Sequence, residues 1–161
     1  MRFTLIDRII ELEPGAKIVA AKNLSLAEEY LADHFPGFPV MPGVLMLEAM
    51  TQASAWLIRA SEDFAHSTVV LQAARNVKYA SFVEPGQTLT VTAEIIEQGP
   101  RITKLKAQGR VGDTLTVAAR LELERYNLAE KNPSKGEIDD IVKMKMRELF
   151  ALLYRQAAEA V

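Results

Sequence analysis

Apolar residues recur along this chain with two different periods, and the changes between them mark its elements. Residues 3–12 are rich in β-branched and apolar types and stop at Glu13-Pro14-Gly15. There proline presets one backbone angle and glycine permits a tight bend. A second strand-like run, Lys17 to Asn23, follows at once, so the opening predicts a hairpin. Residues 25–32 (SLAEEYLA) have room for a short helical turn. The next segment, 34–43 (HFPGFPVMPG), holds three prolines and two glycines and is excluded from regular structure. Over 43–60 (GVLMLEAMTQASAWLIRA) proline disappears and helix formers dominate, with Pro42 placed where the first helical residue would tolerate its missing N–H. The apolar residues of this helix run nearly all round, from Val44, Leu45 and Met46 to Trp56, Leu57 and Ile58. A helix of that kind, too short to cross a bilayer, is predicted to lie buried in a core.

From residue 68 the period shortens to two. Strand-like runs at 68–83, 87–98, 101–113 and 114–125 are separated by Glu84-Pro85-Gly86, Gly99-Pro100 and Gly112-Asp113. Thr88 to Glu94 alternates as a half-buried antiparallel strand should. The sum is an α+β chain of about six strands and one long helix, most economically arranged as a sheet wrapped around that helix. Residues 127–136 (NLAEKNPSKG) are polar and read as a linker. Ser134 and Glu137 then stand at capping-box spacing, and Ile138, Val142, Met146, Leu149 and Leu153 recur at helical spacing. The predicted organisation is a domain over 1–126, a linker over 127–136 and a C-terminal amphipathic segment over 137–161, helical to about residue 159.

Composition narrows the chemistry. The 161 residues suffice for one domain, and 49% apolar with 25% charged residues is ordinary for a globular protein. With no cysteine, disulfides, thiolate metal sites and a cysteine nucleophile are excluded. Two histidines, His34 and His66, cannot make a His-rich zinc site by themselves, and no metal is expected. His66 lies in a polar loop and is given no role. A net charge of −2 argues against nucleic acid as a partner. No run suits stable membrane insertion, and MRFTLIDRII, with an acid at Asp7, is not a secretory leader, so the expected location is cytoplasmic.

One segment carries unusual chemistry. His34 opens the rigid Pro/Gly stretch, and Glu48 interrupts the first turns of the apolar helix. A carboxyl group there is costly to bury charged, and an acid kept neutral is what a proton donor requires. Histidine is the side chain best placed to act as base. Gln52, one turn on from Glu48, shares its face and can hydrogen-bond it. The N–H groups of Gly43 and Val44 open the helix without intrahelical partners and can face a developing oxyanion. A base, an acid and an oxyanion site fit proton abstraction beside a carbonyl with loss of a neighbouring hydroxyl.

The stretch DHFPGFPVMPGVLMLEAMTQA resembles the signature of the FabZ-type β-hydroxyacyl-acyl carrier protein dehydratases, which have the hotdog fold. The similarity runs from about Arg2 to Glu124 and includes LIDRIIELEPG and VKYASFVEPGQTL. The resemblance implies that His34 is the base at C2 and Glu48 the acid for the leaving C3 hydroxyl. Gly43 and Val44 would donate to the thioester oxygen, and Gln52 would orient the acid. It also implies a homodimer that shares its active sites, alone or as a trimer of dimers, and a substrate on the phosphopantetheine of acyl carrier protein, with no cofactor of its own. Glutamate at position 48 points to the FabZ type and away from the FabA type, which also isomerises the double bond. Phe35, Phe38, Met41, Met46, Met50 and Trp56 are candidates to line an acyl tunnel. Arg75, Lys78, Arg101, Lys104 and Lys106 are candidates to dock the acidic carrier.

The chain departs from the family pattern at several points. Asp33 replaces the glycine before the histidine, PGQTL replaces PGDQL, and the helix after residue 136 is extra. Met1 stands where the first strand is expected, so the family's N-terminal helix is expected to be missing. Two rival functions keep the fold: a thioesterase, which would release free thiol, and a non-catalytic acyl-binding protein, which would bind without turnover.

Overall fold

The computed structural model describes residues 4–155. In chain order the elements are β1 (Arg8–Glu13), β2 (Lys17–Asn23), α1 (Gly43–Ser61), β3 (Thr68–Tyr79), β4 (Thr88–Gln98), β5 (Ile102–Val111), β6 (Thr114–Tyr126) and α2 (Gly136–Leu153). Short 3-10 turns occupy Glu29–Ala32, Leu128–Glu130 and Pro133–Lys135. The strands form one antiparallel sheet in the order β1-β2-β4-β5-β6-β3. Helix α1 packs against β2, β3, β4, β5 and β6, and the sheet wraps it as expected of a hotdog fold.

The two periodicities meet in the core. Ala49, Met50, Ala53, Leu57 and Ile58 of α1 are buried together with the alternate residues Leu89, Val91 and Ala93 of β4 and Leu105 and Ala107 of β5. The all-round apolar character of α1 follows, because sheet residues cover one side and other elements much of the rest. At Gly109 of β5 an added Cβ would lie 2.8 Å from Leu89 Cδ1 and 2.9 Å from Val117 Cγ1, so only glycine lets these strands pack as they do.

Several boundaries differ from the sequence reading. Ladder pairing in β1 starts at Arg8, and the buried Leu5 and Ile6 precede it outside the strand, while residue 3 lies outside the described residues. β3 stops at Tyr79 rather than 83, because the N–H groups of Ala80 and Ser81 both turn to Thr116 O and break the ladder. Pro42 is the residue before α1, not its first: its ψ of 137° is extended, and its carbonyl accepts from Leu45 and Met46.

At the C-terminal helix, the Ser134–Glu137 capping box does not form, since Asn132 Oδ1 takes both the Ser134 N–H (3.2 Å) and its hydroxyl (2.7 Å). A capping box forms instead between Asn127 and Glu130. α2 ends at Leu153, where Tyr154 leaves helical geometry, and the expected helical residues 156–159 lie outside the described residues.

α2 is fastened to the sheet domain at both ends. Asp139 is buried and accepts from the N–H groups of Leu128 and Ala129, each at 2.9 Å, and from the Ser67 hydroxyl. Burial pushes the Asp139 pKa up, but those three hydrogen bonds outweigh it and hold the carboxyl below its ordinary range. Farther along, Arg147 grips Asp63 Oδ1 at 2.8 Å and the Asp63 carbonyl at 2.6 Å, with its guanidinium 4.8 Å above the Phe64 ring. Phe150 packs on Phe64 and Trp56.

Candidate active site

The Pro/Gly segment is a wound loop held by its own backbone. Phe35 and Phe38 exchange N–H···O bonds of 3.1 and 2.9 Å around Gly37, whose φ of +82° suits glycine. The Val40 N–H returns to His34 O at 2.9 Å. The same residue's carbonyl lies 2.9 Å from His34 Nδ1. A carbonyl can only accept, so Nδ1 carries the hydrogen and the neutral ring keeps its lone pair on Nε2. The half-buried imidazole is therefore presented as a base through one defined atom.

Glu48 is held by a relay from the N-terminal segment. The Leu5 N–H donates to Gln52 Oε1 at 2.9 Å, and Gln52 Nε2 donates to Glu48 Oε1 at 2.9 Å. Because the Leu5 amide can only donate, it fixes which end of the Gln52 amide faces the acid. Gln52 sits one helical turn from Glu48, as its spacing predicts. A Cβ on Gly43 would meet the Tyr79 ring at 2.9 Å, so the absence of a side chain there opens the helix N-terminus beneath that ring. The first intrahelical bonds belong to Leu45 and Met46, which leaves the Gly43 and Val44 N–H groups ahead of the ladder. Val44 itself is 69% exposed.

Glu48, Gln52 and Trp56 line one cavity of about 220 Å³, together with Arg59 of α1 and Met146 and Leu149 of α2. His34 is not among its lining residues, and Phe35 borders a separate hollow with Leu26 and Pro36. Of the tunnel candidates, Trp56 lines this cavity with Glu48. Met41, Met46 and Met50 are buried core residues, while Phe35 and Phe38 are exposed, the latter edge-on to Phe82 at 5.7 Å. Arg59 and Leu5 escaped the sequence reading. Met146 and Leu149 were visible as a helical stripe, but nothing in the stripe names the surface it covers.

The basic candidates for carrier docking are partly tied to the protein's own acids. Arg75 meets Glu122 at 3.0 Å, Arg101 spans Glu124 and Glu130, and Lys104 meets Glu97 at 2.9 Å. The hydrogen bond that Lys104 donates to Glu97, and the charge of Glu97, push the Lys104 pKa up. Lys78 is on β3 with Arg75, and Lys106 is on β5 with Lys104. His66, left without a role, binds Glu62 Oε1 at 3.0 Å. Among the described residues no group of His, Asp or Glu is arranged to hold a metal, and no helix is long and apolar enough to cross a membrane.

Residues 1–120 match the family model of the FabA-like domain. The chain is 42% identical to the 3-hydroxyacyl-[acyl-carrier-protein] dehydratase FabZ of Lactiplantibacillus plantarum over 108 residues, covering 67% of this chain and 74% of the relative. It is 35% identical to the protein of that name from Symbiobacterium thermophilum over 133 residues, 83% of this chain and 94% of the relative. Among solved structures, the dehydratase heterocomplex ApeI:P from Xenorhabdus doucetiae is similar with a TM-score of 0.66 at 19% identity, covering 83% of this chain and 90% of that one. The PaaI protein of Escherichia coli, from a phenylacetic acid degradation operon, gives 0.57 at 16% identity over 74% and 78% of the two chains. These structural likenesses carry the hotdog fold.

Proposed function

The chain belongs to the FabA-like family, and from that premise we propose that it is a (3R)-hydroxyacyl-acyl carrier protein dehydratase of the FabZ type. His34 Nε2 takes the proton from C2, and the electron pair left behind forms the C2–C3 double bond. The C3–O bond breaks, and Glu48 gives its proton to the departing hydroxyl, which leaves as water. The Gly43 and Val44 N–H groups face the thioester oxygen as negative charge gathers there. In the reverse direction each group returns its proton. The phosphopantetheine that carries the thioester arrives with the carrier protein and not with the enzyme.

The observation that carries this reading is the pair of hydrogen-bond relays. Val40 O sets the histidine tautomer that leaves Nε2 basic, and Leu5 through Gln52 orients the carboxyl group. His34 is not among the residues that line the cavity of Glu48, which is compatible with the shared dimeric site that the family resemblance implies. On that reading the working site is assembled across a homodimer. The antiparallel edge for that dimer is β3. It is a 12-residue strand paired, among the described residues, with β6 alone, and it exposes Val70 and Leu71. The opposite edge, β1, has 6 residues and carries Arg8, Glu11 and Glu13, the features that discourage edge pairing.

The test is turnover of a short 3-hydroxyacyl or trans-2-enoyl thioester, followed by enoyl absorbance and free thiol. The wild type is expected to interconvert the two without releasing thiol. His34→Ala and Glu48→Gln should each lose about a hundredfold or more, the scale of general acid–base catalysis. Thiol release would establish the thioesterase instead, and an unchanged His34→Ala rate would remove the mechanism.

A further inference from the structure

Arg59 is an unexplained cation. It lies three residues beyond Trp56 on α1, is half-buried, and lines the cavity that contains Glu48. Its Nε is buried with no hydrogen-bond acceptor, and among the described residues its recorded contact is with the Trp56 ring, 5.5 Å from the guanidinium. Loss of solvation pushes its pKa down to about 10, with the nearby charge of Glu62 opposing that shift. Glu62 does not take it as an ion-pair partner, because both its carboxylate oxygens are engaged, one by Arg125 Nε and the other by His66, each at 3.0 Å. A buried guanidinium N–H without an acceptor is costly, and a group that completes the site would remove that cost.

The position of Arg59 says what that would be. Residues 48, 52, 56 and 59 follow at i, i+4, i+8 and i+11, which places them along one face of α1. Arg59 is therefore about 16 Å beyond Glu48 along the helix axis. The wall between holds Ala55, Trp56, Val69, Met146 and Leu149, with Thr51 and Gln52 near the Glu48 end. An acyl chain whose C3 sits at Glu48 can extend along this face, which ends at a guanidinium. Two of the wall residues come from α2, beyond the residues matched by the family model.

We propose that Arg59 selects acyl thioesters whose distal end carries an anionic or strongly accepting group, a carboxylate above all. A plain alkyl end would leave the guanidinium unpaired, whereas a carboxylate accepts two of its N–H groups side by side. The inference rests on the dehydratase reading for the orientation of the thioester, but not for the existence of the distal site.

Two measurements separate these. The first is binding of ω-carboxyacyl and methyl-ended trans-2-enoyl pantetheine thioesters of equal length, by calorimetry on the wild type. The second is kcat/KM for the same pair on the wild type, Arg59→Met and Arg59→Lys. A charge-assisted pair predicts that the wild type favours the carboxylated compound by about tenfold or more in both. Arg59→Met should abolish or invert that ratio, and Arg59→Lys should retain part of it. Because both substrates are read on one preparation, a general loss of folded protein cancels in the ratio. Equal affinity of the wild type for the two, or a ratio unmoved in Arg59→Met, overturns the proposal. Selective binding without turnover of either keeps the distal site and removes the dehydratase.

Discussion

At the scale of single residues, the candidate site depends on groups whose hydrogen-bond roles leave no choice. Gln52 neither donates nor accepts a reacting proton in this mechanism; it holds Glu48 at one angle because Leu5 holds it. Replacing it by leucine should lower kcat by roughly tenfold to a hundredfold with KM little changed, the signature of a misplaced acid. Steady-state kinetics on Gln52→Leu beside Glu48→Gln test this, and a change confined to KM would assign Gln52 to binding. Gly43 gives a second expectation. Alanine there drives a Cβ to within 2.9 Å of the Tyr79 ring. That ring is half exposed and can swing away, so Gly43→Ala should fold normally yet lose activity as the oxyanion corner is displaced. Tyr79→Ala in the same chain should recover part of the loss.

At the scale of elements, one attachment of α2, at Asp139, and one of the loop after α1, at Arg125, are made by buried charge. Arg125 is 7% exposed and binds Glu62, the Thr103 hydroxyl and the Gly99 carbonyl. Arg125→Ala leaves these acceptors stranded and should cost about 3–5 kcal/mol in a denaturant titration. Asp139 gives a test with a pH axis. Its folded pKa lies below the unfolded value, so its stabilisation is fully present above the ordinary aspartate range and is lost as pH falls through the folded pKa. Asp139→Asn should therefore melt roughly 3 °C or more below the wild type at neutral pH. The gap should stay level down to about pH 5 and close below about pH 4. A gap that widens in acid would contradict the assignment.

These attachments also show what a sequence can reveal. The periods of 2 and 3.6 gave strands and helices because the core imposes them residue by residue. His34, Glu48 and Gln52 were legible because a polar group in an apolar or rigid setting breaks a local pattern. The role of Asp139 was not legible, since on the helix it is one acid among several, and only the packed chain brings Ser67 and Leu128 to it. Pro42 was placed one residue too far into α1 because a proline fits either position sterically. Its ψ of 137° decides between them. Arg59 breaks no local pattern near the end of α1, and only the folded chain places it in one cavity with Glu48 and α2.

At the scale of the whole molecule, the unpaired edge of β3 should govern activity. A charge at Leu71 would oppose strand pairing between two copies while leaving the β3–β6 ladder in place. Leu71→Lys is expected to run as a monomer by size exclusion with light scattering and to lose turnover, with its circular dichroism retained. A dimer that survives this change and stays active would move the interface elsewhere. Finally, the chain has a single tryptophan, Trp56, and it stands in the cavity between Glu48 and Arg59 with Phe150 6.0 Å away. All indole fluorescence of the protein thus originates at one address. Filling the cavity, neutralising Arg59 or prising α2 away would each change the surroundings of that ring, so emission intensity and wavelength form a label-free optical gauge of occupancy, already installed in the native polypeptide.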